Sequence, residues 1–147
     1  MSLFDTLYKE IILEHYKKPR NRGRLDPHTV AQEGVNPSCG DELEVFLRLE
    51  DDRVEAASFV GEGCAISQAS ASMMMQALEG LTVEEARELA RDFKAMIHGG
   101  EPSENLGDLR LLQGVSKLHA RVKCATLPFV TLEQALASER SGPVSTE

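Results

Sequence analysis

The stretch Glu42-Leu43-Glu44-Val45-Phe46-Leu47-Arg48-Leu49-Glu50-Asp51-Asp52-Arg53-Val54-Glu55-Ala56-Ala57-Ser58-Phe59-Val60 decides the architecture. Leu43, Val45, Leu47 and Leu49 alternate with Glu44, Phe46, Arg48 and Glu50, the period of a strand with one strongly buried face. Asp51-Asp52 is a tight turn and Val54 to Val60 a second strand, so residues 42–60 read as a β-hairpin. Gly61 to Gly63 break the second strand. Cys64 then opens a helix rich in Ala, Ser and Met, which Gly80 closes after Leu78. Upstream, residues 29–34 predict a short strand, and Asn36-Pro37-Ser38-Cys39-Gly40-Asp41 reads as a turn or loop. Further back, residues 3–17 predict an amphipathic helix. Leu3, Leu7 and Ile11 share a stripe, with Phe4, Tyr8, Ile12 and Tyr16 near it, and Pro19 and Gly23 end it.

Downstream, Thr82-Val83-Glu84-Glu85 fits a capping box, with Thr82 as N-cap and Glu85 reaching back. The helix it opens buries Ala86, Leu89, Ala90, Phe93 and Ile97, and Gly99-Gly100 terminate it. Residues 101–107 read as a loop and Leu109 to Gln113 as a short helix. A last helix runs from near Cys124 to Ala137. Proline has no N–H to give a helix, so Pro128 is expected in the first turn. The order is helix, small antiparallel sheet, helices, which defines an α+β fold. Residues 1–137 are expected to form a single domain, and the polar stretch 138–147 a disordered tail.

With 147 residues, 41% of them apolar, the chain can build one core without a metal to hold it together. A net charge of −8 argues against nucleic acid as a partner. Residues 1–24 nevertheless hold six basic side chains against three acidic ones. That segment reads either as a docking site for a protein or as a solvated helix end. Charges within the first ten residues, and the lack of any long apolar run, predict neither a signal peptide nor a membrane span. A cytoplasmic location follows as the expectation.

Cysteine appears three times, at Cys39, Cys64 and Cys124. An odd count in a cytosolic setting favours metal or redox chemistry over disulfides. The spacings of 25 and 60 residues are not those of a zinc finger or ribbon, so the thiols must converge from three distant segments. Each lies at a break between elements, and two stand at predicted helix N-termini, where free N–H groups and the helix dipole favour a thiolate. Arg121 and Lys123 add cationic charge beside Cys124. Asp41, two residues after Cys39, completes a possible four-ligand set, harder and more exchangeable than four thiols. Zinc, iron and persulfide sulfur all suit such a set. Buried core cysteines and an ordinary Gly-Asp turn are the bland alternatives. His15, His28, His98 and His119 are the remaining ligand types. His119 is the best spare, with a surface or packing role favoured for it. Met73-Met74-Met75 reads as helix core.

Several of these segments resemble one family in the same order along the chain. Tyr8 with Ile11 to Gly23, the Asn36–Asp41 loop, the run Gly61-Glu62-Gly63-Cys64-Ala65-Ile66-Ser67, and Cys124 at the last helix are similar to the U-type iron–sulfur cluster assembly proteins, the IscU/NifU-like family. The resemblance runs to about Ala137. Lys123 stands where IscU-type members carry a histidine. Leu118-His119-Ala120-Arg121-Val122-Lys123 stands where they carry a Leu-Pro-Pro-Val-Lys chaperone motif, and the Cys64–Cys124 interval is longer. These departures are similar to the SufU branch. They weaken a histidine ligand and strengthen Asp41.

The resemblance implies a three-stranded antiparallel sheet packed against helices, as in the SufE/IscU-like fold. It places Cys39, Asp41, Cys64 and Cys124 at one end around Zn2+. In the SufU-type role the site accepts persulfide sulfur from a SufS-type cysteine desulfurase, a pyridoxal-phosphate enzyme, so the activity implied is at most that of a zinc-dependent sulfurtransferase. In the IscU-type role a transient [2Fe–2S] cluster is built on the same residues and passed to apo-proteins or downstream assembly proteins, which makes the chain a non-enzymatic scaffold. A purely structural zinc site ranks last, because the domain is large enough to fold without one. Cys39 is the expected sulfur acceptor, since its Pro/Gly loop moves more freely than a helix start. Arg121 is the candidate for orienting or activating a thiolate, with a plain surface charge as the alternative.

Overall fold

The structure, a computed structural model, describes residues 3–137 and 144–145, with side chains from Lys9 to Ala137. Helix α1 spans Leu3–Lys17, strand β1 Val30–Asn36, β2 Asp41–Glu50 and β3 Arg53–Glu62. They are followed by α2 (Ala65–Leu78), α3 (Val83–Ile97), two 3₁₀ segments (Glu104–Lys117 and His119–Arg121), α4 (Val122–Ala137) and a two-residue strand β4 (Val144–Ser145). The three long strands pair antiparallel in the order β3-β2-β1, as the hairpin pattern predicts. Within the segment expected to be a disordered tail, Val144 and Ser145 pair in parallel with Gly34 and Val35 at the β1 edge.

Two tight turns set the register. Asp51 and Asp52 both take positive φ, 50° and 62°, the conformation a two-residue hairpin needs to match strand twist. The predicted 36–41 loop is shorter than expected. Asn36 and Asp41 pair with each other as the closing residues of β1 and β2, which leaves only residues 37–40 as the turn. Cys39 therefore sits on a hairpin tip anchored at both ends by strand pairing.

The core lies against the sheet face that carries Leu43, Val45 and Leu47. Helices α2 and α4 cover it, while α1 packs on α2 and α3 on α4. Met73, Met74 and Met75 are buried, as a core reading of that run requires. Phe46, on the opposite sheet face, is also fully buried. His28 packs edge-on to its ring and the Arg24 guanidinium lies 4.9 Å above it. Among the described side chains of α1 the buried ones are Ile12 and His15, whereas Tyr16, expected near the apolar stripe, is 47% exposed. The side chains of Leu3, Phe4, Leu7 and Tyr8 fall outside the described residues.

The Thr82/Glu85 capping box is present with both reciprocal bonds. The placement of Pro128 is corrected. Helix α4 begins at Val122, so the proline stands in its second turn rather than its first. The Cys124 carbonyl accordingly receives no i→i−4 bond from residue 128. The His119–Arg121 3₁₀ turn runs directly into α4 and supplies the extra start that the proline rule did not anticipate. Residues 104–117, read as a loop plus a short helix, form one 3₁₀ stretch bent at Gly107, where φ is 54° and ψ −128°.

Candidate metal centre

The β1–β2 turn, the N-terminus of α2 and the first turn of α4 meet at one end of the molecule. Cys39 Sγ, a carboxylate oxygen of Asp41 and Cys124 Sγ lie within 4.8 Å of one another. Two sulfurs on one tetrahedral zinc stand about 3.8 Å apart, from a Zn–S distance of about 2.3 Å. A contraction of about one ångström therefore closes the set. Sulfur and carboxylate oxygen together suit a zinc-like ion, so the residues fit the metal that the resemblance implies.

Cys64 stands at the margin of this set. As N-cap of α2 its Sγ accepts the Ser67 N–H at 3.5 Å, and its thiol also reaches the Cys124 thiol. The three cysteines are free of disulfides. His119, the spare ligand of the sequence reading, is exposed in the 3₁₀ turn and is not in the cluster. His15 is bound to Ser72 Oγ at 2.7 Å, and His98 caps α3.

Asp41 is 1% exposed, so its charge needs partners. Oδ1 accepts the Cys64 N–H at 2.9 Å and the Ser67 hydroxyl at 3.2 Å, at the positive end of α2. Oδ2 accepts from Asn36 Nδ2 at 3.1 Å. Burial pushes the carboxyl pKa upward, but bonds from Cys64, Cys124, Asn36 and Ser67 outweigh it and hold the group below its usual value. Gly63 makes this approach possible. A Cβ there would collide with Asp41 Oδ1 and stand 2.6 Å from Ser67 Oγ.

For Cys124, fully buried on α4, the expectation of a thiolate favoured by its surroundings is not met. Burial foremost, then bonding to Asp41 and the neighbouring thiols, pushes its pKa well above the ordinary thiol value. The site without an ion therefore holds this sulfur as a thiol, and an ion must displace the proton. Cys39 is half-buried. Its thiol donates to the Ala120 carbonyl at 3.7 Å, and Arg121 Nη1 donates to its sulfur at 3.8 Å. The Arg121 guanidinium, exposed to solvent, is held above its usual pKa first by its bond to Cys124 and then by the charges of Cys64, Cys124 and Cys39. Asn36 and Ser67 are site residues that the sequence reading missed. The first ends a strand and the second sits one turn into a helix, and each looks like ordinary element chemistry until the fold brings Asp41 between them.

A small antiparallel sheet under helices, with three sulfurs and a carboxylate gathered at one end, is matched by a family model described as the NifU-like N-terminal domain, over residues 7–125. The chain belongs to that family. It is 49% identical over 140 residues to the zinc-dependent sulfurtransferase SufU of Bacillus subtilis (strain 168), covering 94% of this chain and 95% of the relative. It is 42% identical over 135 residues to the iron–sulfur cluster assembly scaffold protein IscU of Thermotoga maritima, covering 91% and 95%. A crystal structure described as a candidate iron–sulfur cluster assembly scaffold for the SUF system, from Fervidobacterium islandicum AW-1, superposes with a TM-score of 0.84. That pair is 36% identical over 89% of this chain and 97% of the other. No helix among the described residues is long and apolar enough to cross a membrane.

Proposed function

We propose that this protein accepts sulfur from a SufS-type cysteine desulfurase at Cys39, within a zinc site made by Cys39, Asp41, Cys64 and Cys124. The observation that carries the reading is the asymmetry of the cluster: two buried ligands and one half-buried thiol lie within 4.8 Å of one another, and an exposed cation stands 3.8 Å from that thiol. Zinc, when bound, keeps the sulfurs deprotonated and shields them from oxidation. Asp41 is pinned through Oδ1 and offers Oδ2. The buried Cys124 stays put, and Cys39 on its hairpin tip reaches the donor. Its sulfur attacks the outer sulfur of the donor persulfide. One S–S bond forms at Cys39, the donor's S–S bond breaks, and the donor cysteine leaves as a thiolate. Arg121 orients the Cys39 sulfur. The working unit is the 1–137 domain, acting in the cytoplasm, where free thiols persist.

Alanine production by a SufS-type desulfurase, measured with and without the zinc-loaded protein and without iron, tests this. Strong stimulation that disappears in Cys39→Ser is the expected result, and stimulation that survives Cys39→Ser removes the acceptor assignment. The scaffold reading is favoured by the naming of the Thermotoga and Fervidobacterium relatives. Under it the same residues carry a [2Fe–2S] cluster as cargo for an apo-protein, one thiolate short of the usual four. Absence of stimulation, together with stable anaerobic uptake of iron and sulfide, selects that reading.

A further inference from the structure

One residue ties much of this site together without being a candidate ligand. Asn36, fully buried at the end of β1, donates through Nδ2 to Asp41 Oδ2 at 3.1 Å and to Cys124 Sγ at 3.6 Å. Its backbone carbonyl accepts the Cys39 N–H at 3.2 Å, and its own strand partner is Asp41. Asn36 thus contacts three of the four candidate ligands. Its Oδ1 is buried without a partner, so the amide is held for what Nδ2 does rather than for mutual satisfaction.

The three sulfurs consequently differ. Cys124 receives the Asn36 amide N–H, and Cys64 receives the Ser67 backbone N–H. Cys39 receives the exposed Arg121 guanidinium at 3.8 Å, a cation that also bonds Cys124. An N–H donated to a thiolate withdraws electron density from sulfur and fixes its direction, which makes it a poorer nucleophile and a more firmly retained ligand. We infer that Asn36 is the positioning residue that keeps Cys124 a spectator and leaves Cys39 the nucleophile of the site. The inference rests on the sulfur-acceptor reading for its purpose, but not for its chemistry.

The test uses sulfur reactivity without a desulfurase. The zinc-loaded protein is treated with limiting iodoacetamide, and the alkylated cysteines are quantified by mass spectrometry. In the wild type Cys39 should be modified at least about tenfold faster than Cys124. In Asn36→Ala that ratio should fall several-fold toward parity, and in Asn36→Thr, which restores a donor, it should recover in part. A folded, zinc-replete Asn36→Ala with unchanged selectivity overturns the inference. Because that variant can lose zinc or fold, a second measurement uses the wild type alone. With 113Cd2+ bound, the Asn36 side-chain amide proton should show a scalar coupling to cadmium relayed through the Cys124 sulfur. An amide free of that coupling overturns the inference equally. Failure of the sulfur-acceptor reading looks different: selectivity depends on Asn36, yet the desulfurase is not stimulated.

Discussion

Gly63 sits where any side chain would enter the space of Asp41 Oδ1 and Ser67 Oγ. Gly63→Ala should therefore tilt the carboxylate off the α2 N-terminus and weaken zinc binding by about 10- to 100-fold, the usual effect of disturbing an outer-shell partner. Competition against a chromophoric chelator measures this, and an unchanged affinity would show that Asp41 is placed by something else. A second residue-level prediction concerns His15. Burial foremost, then the nearby Arg20 charge, lowers its pKa from 6.5, although Glu14 and Asp108 pull the other way. The unfolded chain binds the proton more readily than the native one, so stability rises with pH. The contribution is complete above the unfolded value of 6.5 and is lost as pH falls from there through the lower native value. Urea midpoints should drop between about pH 7.5 and pH 5.5, and His15→Gln should flatten that slope. Cys39, Asp41 and Cys124, which the fold brings together, were legible as candidate ligands because cysteine is rare here and sits at breaks in the pattern, whereas Cys64 lies at the margin of that set. Asn36 and Ser67 were not, because their roles arise from contacts spanning 88 and 26 residues of sequence.

Among the elements, those with local causes were read correctly. The 42–60 hairpin follows from alternation and its Asp51-Asp52 turn, and α3 from its capping box. Thr82→Ala removes a side-chain acceptor from the Glu85 N–H and one half of the box, and should cost about 1 kcal/mol of stability by chemical denaturation. A loss below a few tenths would mean that packing of Ala86, Leu89 and Phe93 alone holds the helix start. The elements misjudged are those shaped by tertiary contacts. Helix α4 starts before its proline permits on local grounds, because Leu127, Phe129 and Leu132 are buried and hold its axis against the sheet and α3. The long 3₁₀ stretch is held by burial of Leu106, Leu109, Leu112 and Val115, a spacing of three that fits 3.0 residues per turn, but Gly107 and Gly114 interrupt the pattern so that only Leu109 to Gln113 read as a helix.

At the scale of the molecule, the core lies between the sheet and α2, α3 and α4, and includes the stacked rings of Phe93 and Phe129 at 4.0 Å. The site lies at one end of this core, which is large enough to fold without it. Chelation of zinc should leave far-UV circular dichroism intact. Re-addition at about a thousandfold excess over Kd should raise stability by about 4 kcal/mol. Unfolding on chelation would revive a purely structural role for the metal. Phe129→Ala, by contrast, should cost about 3–5 kcal/mol whether or not metal is present. Cys124 comes from the final helix, 60 residues after Cys64 and 85 after Cys39. During synthesis the ribosome releases the first two thiols and Asp41 long before the third. A chain arrested ahead of Val122 offers an ion only a partial grip, so loading waits until the last helix has been made.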